Sequence, residues 1–175
     1  GAKAFLLEPQ STNLITYSSD YTQTSWNKLG SPTITANYGS SPDGQNNSTR
    51  IQGNSSTVIY ASGSYAASNF NRSIYIKATS GIGDIQLLSH NSNTNNVFTI
   101  NENWQRLDIN SLTSGVGNNV FYAVDMRGAS TSIYDVEIWH SQAEEIPYMT
   151  SVIPTNGASA TRNQELCNNA TPVIN

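Results

Sequence analysis

The chain has 175 residues, a net charge of −4 and only 11% charged side chains. That length suits one domain with a substantial core, and the eight Lys and Arg are scattered without a basic stripe, which disfavours nucleic-acid binding. A single cysteine, Cys167, excludes an internal disulfide and a cysteine-based metal site, and no apolar run approaches the roughly 18 residues of a membrane-spanning helix.

Polar character comes instead from Asn, Ser and Thr, which hydrogen-bond without charge and favour turns and strand surfaces over helix interiors. No secretory leader is legible, and the opening Gly1 suggests a trimmed chain. Residues 1–12 read as an N-terminal arm, in which Phe5, Leu6 and Leu7 are apolar and Pro9 stops regular structure. Residues 13–17, NLITY, are the first strand candidate. Tyr21 and Trp26 follow in a Thr- and Ser-rich loop, where large rings most often anchor the loop to the core. Further strands are expected at 31–36, 49–52 and 57–61, with Pro42-Asp43-Gly44 the strongest turn signal between them.

Residues 72–78, RSIYIKA, alternate cleanly, with Ile74 and Ile76 inward and Ser73, Tyr75 and Lys77 outward. Strands at 84–89 and 97–100 flank an Asn-rich loop that holds His90. Residues 104–110 alternate again, with Leu107 and Ile109 inward and Trp104, Arg106 and Asp108 outward. Residues 120–127 are apolar enough for a central strand. With Val120, Tyr122, Val124 and Met126 inward, Asp125 and Arg127 face out beside Phe121, and a one-residue bulge would exchange the faces. The last strand, 131–145, places Asp135, Glu137 and Trp139 on one face and Val136 and Ile138 on the other. Beyond it, Pro147 and Pro154 forbid continued pairing, and 147–175 read as an extended tail or linker. Roughly nine or ten short strands with frequent turns and no helical period describe an all-β antiparallel sandwich. Its boundaries are set at residues 13–146.

Catalysis finds little support. Asp135 and Glu137, two apart on one strand face, would stand about 6–7 Å apart, a spacing a glycosidase can use. A flat solvated sheet, however, lacks the apolar pocket that raises one carboxyl pKa. There is no G-x-S-x-G elbow and no H-E-x-x-H pair, and His90 and His140 fall in different elements. The chain is read as no enzyme.

Four stretches, taken in order, carry a resemblance. They are LLEPQSTNLITYSSDYTQTSW (6–26), RSIYIKA (72–78), ENWQRLDI (102–109) and DVEIWHSQAEEIPYMTSVIPTNGASATR (135–162). Together they resemble jelly-roll carbohydrate-binding modules with the galactose-binding-like fold, in the variety found in bacteriophage tail and other virion proteins. The resemblance implies a non-catalytic, lectin-like sugar-binding or structural module of a virion or extracellular protein. ELCNNATPVIN (165–175) is similar to the start of a concanavalin-A-like domain, which implies a further domain after this one. In xylan- and glucan-binding relatives an acidic residue after the first strand helps hold a structural calcium. That position falls near Thr22, a poor ligand, which leaves Asp20 and Asp135 with backbone carbonyls as the candidates.

Sugars lay C–H faces on aromatic rings and direct hydroxyls to planar polar groups. The outward set Tyr75, Lys77, Gln86, Arg106, Asp125, Arg127, Glu137 and Trp139 is therefore expected to converge on one sheet as a poly- or oligosaccharide site. Tyr75 and Trp139 would stack on the sugar. Two expectations compete with this one. In the first, Trp139 and Trp104 are buried under the arm or the tail. In the second, the module links copies of the full-length protein in a virion fibre and binds no glycan.

Overall fold

The structure is a computed structural model that describes residues 7–63, 70–87, 96–110 and 120–165. Twelve strands lie within them: β1 (Ser11–Asn13), β2 (Trp26–Leu29), β3 (Thr33–Thr35), β4 (Thr49–Gln52), β5 (Val58–Ser62), β6 (Asn71–Ala78), β7 (Gly83–Gln86), β8 (Val97–Ile100), β9 (Gln105–Asn110), β10 (Val120–Asp125), β11 (Asp135–Glu144) and β12 (Ala160–Arg162). Two five-stranded sheets, ordered β2-β5-β10-β7-β8 and β3-β4-β11-β6-β9, face each other, and β1 pairs with β12. Every pairing among the described strands is antiparallel. The architecture is the expected β-sandwich.

The alternating side chains build the core. Ile51, Ile74, Ile76, Val136 and Ile138 come from one sheet, Ile59, Ile85, Phe121 and Val124 from the other, and all are fully buried. Removal from water contributes about 1.5–3 kcal/mol for each such side chain. Tyr21 and Trp26 anchor their loop as expected. Their rings meet at 4.8 Å, the Trp26 indole donates to Tyr17 O at 3.0 Å, and Tyr21 shares a 2.8 Å hydrogen bond with Ser141.

Three expectations are corrected. Trp26 is not only an anchor but the first residue of β2, a strand whose polar composition hides it. NLITY is strand only at Asn13, because Leu14 and Ile15 pack singly against neighbours and make no ladder. In β10 a register shift between Tyr122 and Val124 exchanges the faces before it, while Val124 and Met126 stay in the core as expected. Phe121 thus enters the core, while Tyr122 turns out and stacks on Tyr60 at 5.5 Å.

The segments outside the expected sandwich are tied to it. β1 and β12 pair, Arg162 forms an ion pair with Glu8, and Glu8 also accepts from Ser151 N at 2.9 Å. Tyr17 bridges Asn156. The segment read as an extended tail from residue 147 lies along the body as far as Arg162. His90, Cys167 and the loop 111–119 lie outside the described residues.

Asn13 joins these parts. Its carboxamide is fully buried, donates to Ser141 O (3.2 Å) and Ile153 O (3.0 Å), and accepts from Ile15 N and Ala143 N (both 3.1 Å). Replacing Asn13 by Ala would leave buried backbone groups unpaired on three segments. Each unpaired group costs about 1–3 kcal/mol. Asn13→Ala is expected to lower unfolding free energy by roughly 4 kcal/mol in urea titration, with Asn13→Asp no better, because it loses the donor and adds a buried charge.

Candidate functional site

The outer face of the β3-β4-β11-β6-β9 sheet carries the polar alternates of the core residues. Antiparallel register sets them in rows. Glu137 of β11 stands opposite Arg50 of β4 on one side and Lys77 of β6 on the other. Gln105 pairs with Ile76, so Trp104, one residue earlier, falls beside Lys77. The resulting row is Arg50, Glu137, Lys77, Trp104. The next row is Trp139, Tyr75 and Arg106.

The charges of the first row are paired. Arg50 forks Asp135 through Nε (2.8 Å) and Nη2 (2.6 Å), and this guanidinium holds the Asp135 carboxyl below the usual range. Lys77 Nζ lies 2.8 Å from Glu137 Oε1, and Ser48 Oγ donates to the other oxygen at 2.7 Å. An aromatic ring flanks each end. Arg50 sits 4.8 Å from the Tyr38 ring centre, Lys77 5.4 Å from that of Trp104, distances at which a cation is attracted to the ring face.

Two pieces of chain lie across this face. The hairpin 37–48 closes on its middle: Trp104 Nε1 donates to Ser40 O at 3.0 Å, and a Cβ on Gly39 would come within 2.8 Å of Glu137 Oε2. The returning segment 147–153 closes the far end. Arg106 Nη1 donates to Thr150 O (2.7 Å), Gln142 Nε2 to Ser151 O (3.2 Å), and the buried Glu144 accepts from Thr150 N (3.1 Å). Trp139 and Glu137 face outward in register yet are only 6% and 4% exposed. Trp139 meets Tyr75 at 5.2 Å and a 57° tilt, each ring serving as the other's neighbour. The least covered part is the near end, where Tyr38 is 41% exposed and Arg50, Asp135, Lys77 and Trp104 are half-buried beside the hairpin.

The eight residues expected on one sheet therefore divide. Tyr75, Lys77, Arg106, Glu137 and Trp139 share this face. Gln86 and Asp125 lie opposite each other on β7 and β10 of the other sheet, both buried, and Arg127 forks Asp125 at 2.9 and 2.8 Å there. Alternation assigns a side chain to a face of its own strand, but the strand to no sheet. In this order β6, β9 and β11 fall in one sheet and the intervening strands in the other. Tyr38 and Arg50 went unnoticed because one lies in a turn cluster and the other in a four-residue strand.

Asp20 and Asp135 do not meet. Ser18 O accepts from Ser141 N at 2.7 Å, which puts the Asp20 turn near Ser141, roughly 15–20 Å along β11 from Asp135. Asp20 Oδ1 accepts from Thr22 N (3.0 Å) and Oδ2 from Gln23 Nε2 (2.7 Å), while Asp135 is held by Arg50, Thr79 and Gln52. These donors do not fit a calcium shared by both carboxylates, and no group of three His, Cys, Asp or Glu among the described residues could hold a metal ion.

No protein-family model and no curated protein sequence matches the chain. Solved structures do. The CBM22-1 xylan-binding domain of Paenibacillus barcinonensis Xyn10C superposes with a TM-score of 0.53 at 12% identity, over 85% of this chain and 100% of that one. The CBM22-1–GH10 modules of Clostridium thermocellum xylanase 10B, solved with xylohexaose, give a TM-score of 0.49 at 13% identity. That match covers 75% of this chain, which spans 27% of the xylanase chain. At such identities the likeness shows the sandwich fold alone.

One titratable group beside this face gives a pH signature. His140 follows Trp139 at the β11 irregularity, is 1% exposed and holds φ 51°. Burial lowers its pKa from 6.5 to about 4; the bond to Gln142 opposes the shift, Arg106 adds to it, and Glu144 and Asp43 oppose it. The unfolded chain takes up this proton first on acidification. The stabilisation is therefore complete above pH 6.5 and is lost as pH falls toward 4, by up to about 3 kcal/mol. Asn tolerates the left-handed backbone, so His140→Asn is expected to flatten the stability profile between those pH values in denaturant titration.

Proposed function

We propose that this chain is a non-catalytic carbohydrate-binding module of a bacteriophage tail or other virion protein, and that it holds a poly- or oligosaccharide on the near end of the β4-β11-β6 face. The observation that carries the reading is the part-exposed Arg50–Asp135 pair with Lys77, flanked by the rings of Tyr38 and Trp104. Aromatic faces take the C–H side of a sugar ring, and fixed carboxylate and guanidinium groups take its hydroxyls. The sandwich it shares with the xylan-binding domain supports the same reading. Catalysis is disfavoured because Asp135 and Glu137 are committed to Arg50 and Lys77 as ion pairs, with no apolar pocket that would keep one protonated. Display on the outside of a particle or cell follows from a glycan ligand.

A second reading, a scaffold module of a virion fibre that binds no glycan, draws on the burial of Trp139 and Glu137 under the protein's own chain. Glycan-array binding together with light scattering after size exclusion separates the two. A monomer that binds neutral glycans supports recognition, and a glycan-silent oligomer supports scaffolding. In affinity electrophoresis on soluble polysaccharides, Tyr38→Ala and Trp104→Ala are each expected to weaken retention about tenfold, the worth of one stacking contact. Unchanged retention in both variants would remove the platform from the site. Trp139→Ala should instead lower stability by about 3–5 kcal/mol, as loss of a buried ring does.

A further inference from the structure

We propose that the turn leading into β2 is a site for one small monovalent cation, and that the chain fills it with an ammonium of its own, that of Lys28. Lys28 Nζ donates to Gln23 O at 2.8 Å, to Trp26 O at 2.9 Å and to Thr22 O at 3.3 Å. An ammonium has three donors and no acceptor, so three main-chain carbonyls take all of them.

Carbonyls that converge on one point bring their negative ends together, and a positive charge between them offsets that repulsion. The turn is ordered to keep them there. Asp20 accepts from Thr22 N at 3.0 Å, from Thr22 Oγ1 at 2.5 Å and from Gln23 Nε2 at 2.7 Å, so its carboxylate fixes two of the residues whose carbonyls face Lys28. Trp26 N donates to Gln23 O at 3.2 Å and closes the turn. Burial lowers the Lys28 pKa, and the negative charge of Asp20 opposes that shift.

The geometry selects the ion. Nitrogen-to-oxygen distances of 2.8, 2.9 and 3.3 Å exceed the roughly 2.3–2.6 Å of calcium–oxygen bonds. Calcium also takes about six to eight oxygens, carboxylates among them. The turn offers three neutral carbonyls and one carboxylate whose oxygens already accept from Thr22 and Gln23. One positive charge balances that carboxylate and a second would not. Potassium, an ion of ammonium's size and charge that proteins hold by main-chain carbonyls, matches on both counts.

The cage secures more than the turn. Tyr21 and Trp26 carry it into the core, and Ser18 O, two residues before Asp20, accepts from Ser141 N on β11. β2 is an edge strand of its sheet, and its own side chain reaches back to pin the turn that precedes it. With the cation covalently attached, the turn draws none from solution. No platform residue takes part.

The test is thermal denaturation of the full chain at constant ionic strength in choline, potassium or ammonium chloride, and in choline chloride with added calcium. The native midpoint is expected to be the same in all four. Lys28→Ala empties the cage. Its midpoint in choline is expected to fall by about 5 °C, as loss of a charged hydrogen-bonding group does in a domain of this size. It should then rise with the logarithm of potassium or ammonium concentration, as for a ligand bound only by the folded chain. Lys28→Met keeps the stem in place without the charge, and is expected to show the same fall with no recovery. The proposal is overturned if Lys28→Ala keeps the native midpoint in choline. It is also overturned if neither potassium nor ammonium restores Lys28→Ala, whether or not that chain folds, or if Lys28→Met recovers equally, which makes the recovery a general salt effect. A native midpoint raised by calcium would overturn it as well.

Discussion

The carboxamide of Asn13 is the constraint on which the arrangement of the chain depends. An amide group offers two donors and two acceptor positions, and all four hydrogen bonds here go to buried backbone, on the first segment, on β11 and on the chain returning near Ile153. These backbone groups fall where β11 breaks register between Trp139 and Gln142 and loses its neighbour β4. A ladder cannot continue through that irregularity, so a side chain replaces it. The returning segment is held at the level where it can roof the outer face, and the extent of the open platform follows from that placement.

The platform itself shows how burial and charge divide one surface. Its carboxylates are balanced by cations within hydrogen-bonding distance, so the row presents dipoles and little net field. Such a surface exerts little long-range pull on charged molecules. The same rows continue under the hairpin and the returning segment, where Glu144 accepts from Ser11 and Thr150 with no cation among those bonds. There the polar groups serve the fold, and only at the near end do they meet solvent.

Much of the fold was legible from alternation. Ile74 and Ile76, Leu107 and Ile109, and Val136 and Ile138 declared their faces, and so did Lys77, Arg106 and Glu137. Two kinds of information were absent. Membership of a sheet depends on which strands pair across long loops, so Gln86 and Asp125 looked like partners of Tyr75 when they belong to the opposite layer. Coverage depends on loops and tails whose course leaves no periodic trace, so the sequence left Trp139 between an open and a buried place, and in the structure it is buried. Tyr38 and Arg50 were obscure for the same reason, since a turn residue and a short strand become neighbours only after the hairpin forms.

The short β1–β12 pair bears on how the module transmits tension. Glu8 and Glu165 lie side by side, joined by Glu165 N to Glu8 O at 3.0 Å, and Ser11 stands opposite Arg162. A load applied through these neighbouring points meets the rungs one after another, as a zipper does, and not in parallel shear. The pair would peel open at modest load while the sandwich behind it stays unstressed. The clasp is thus the part of the module that yields first, as a short extensible tether.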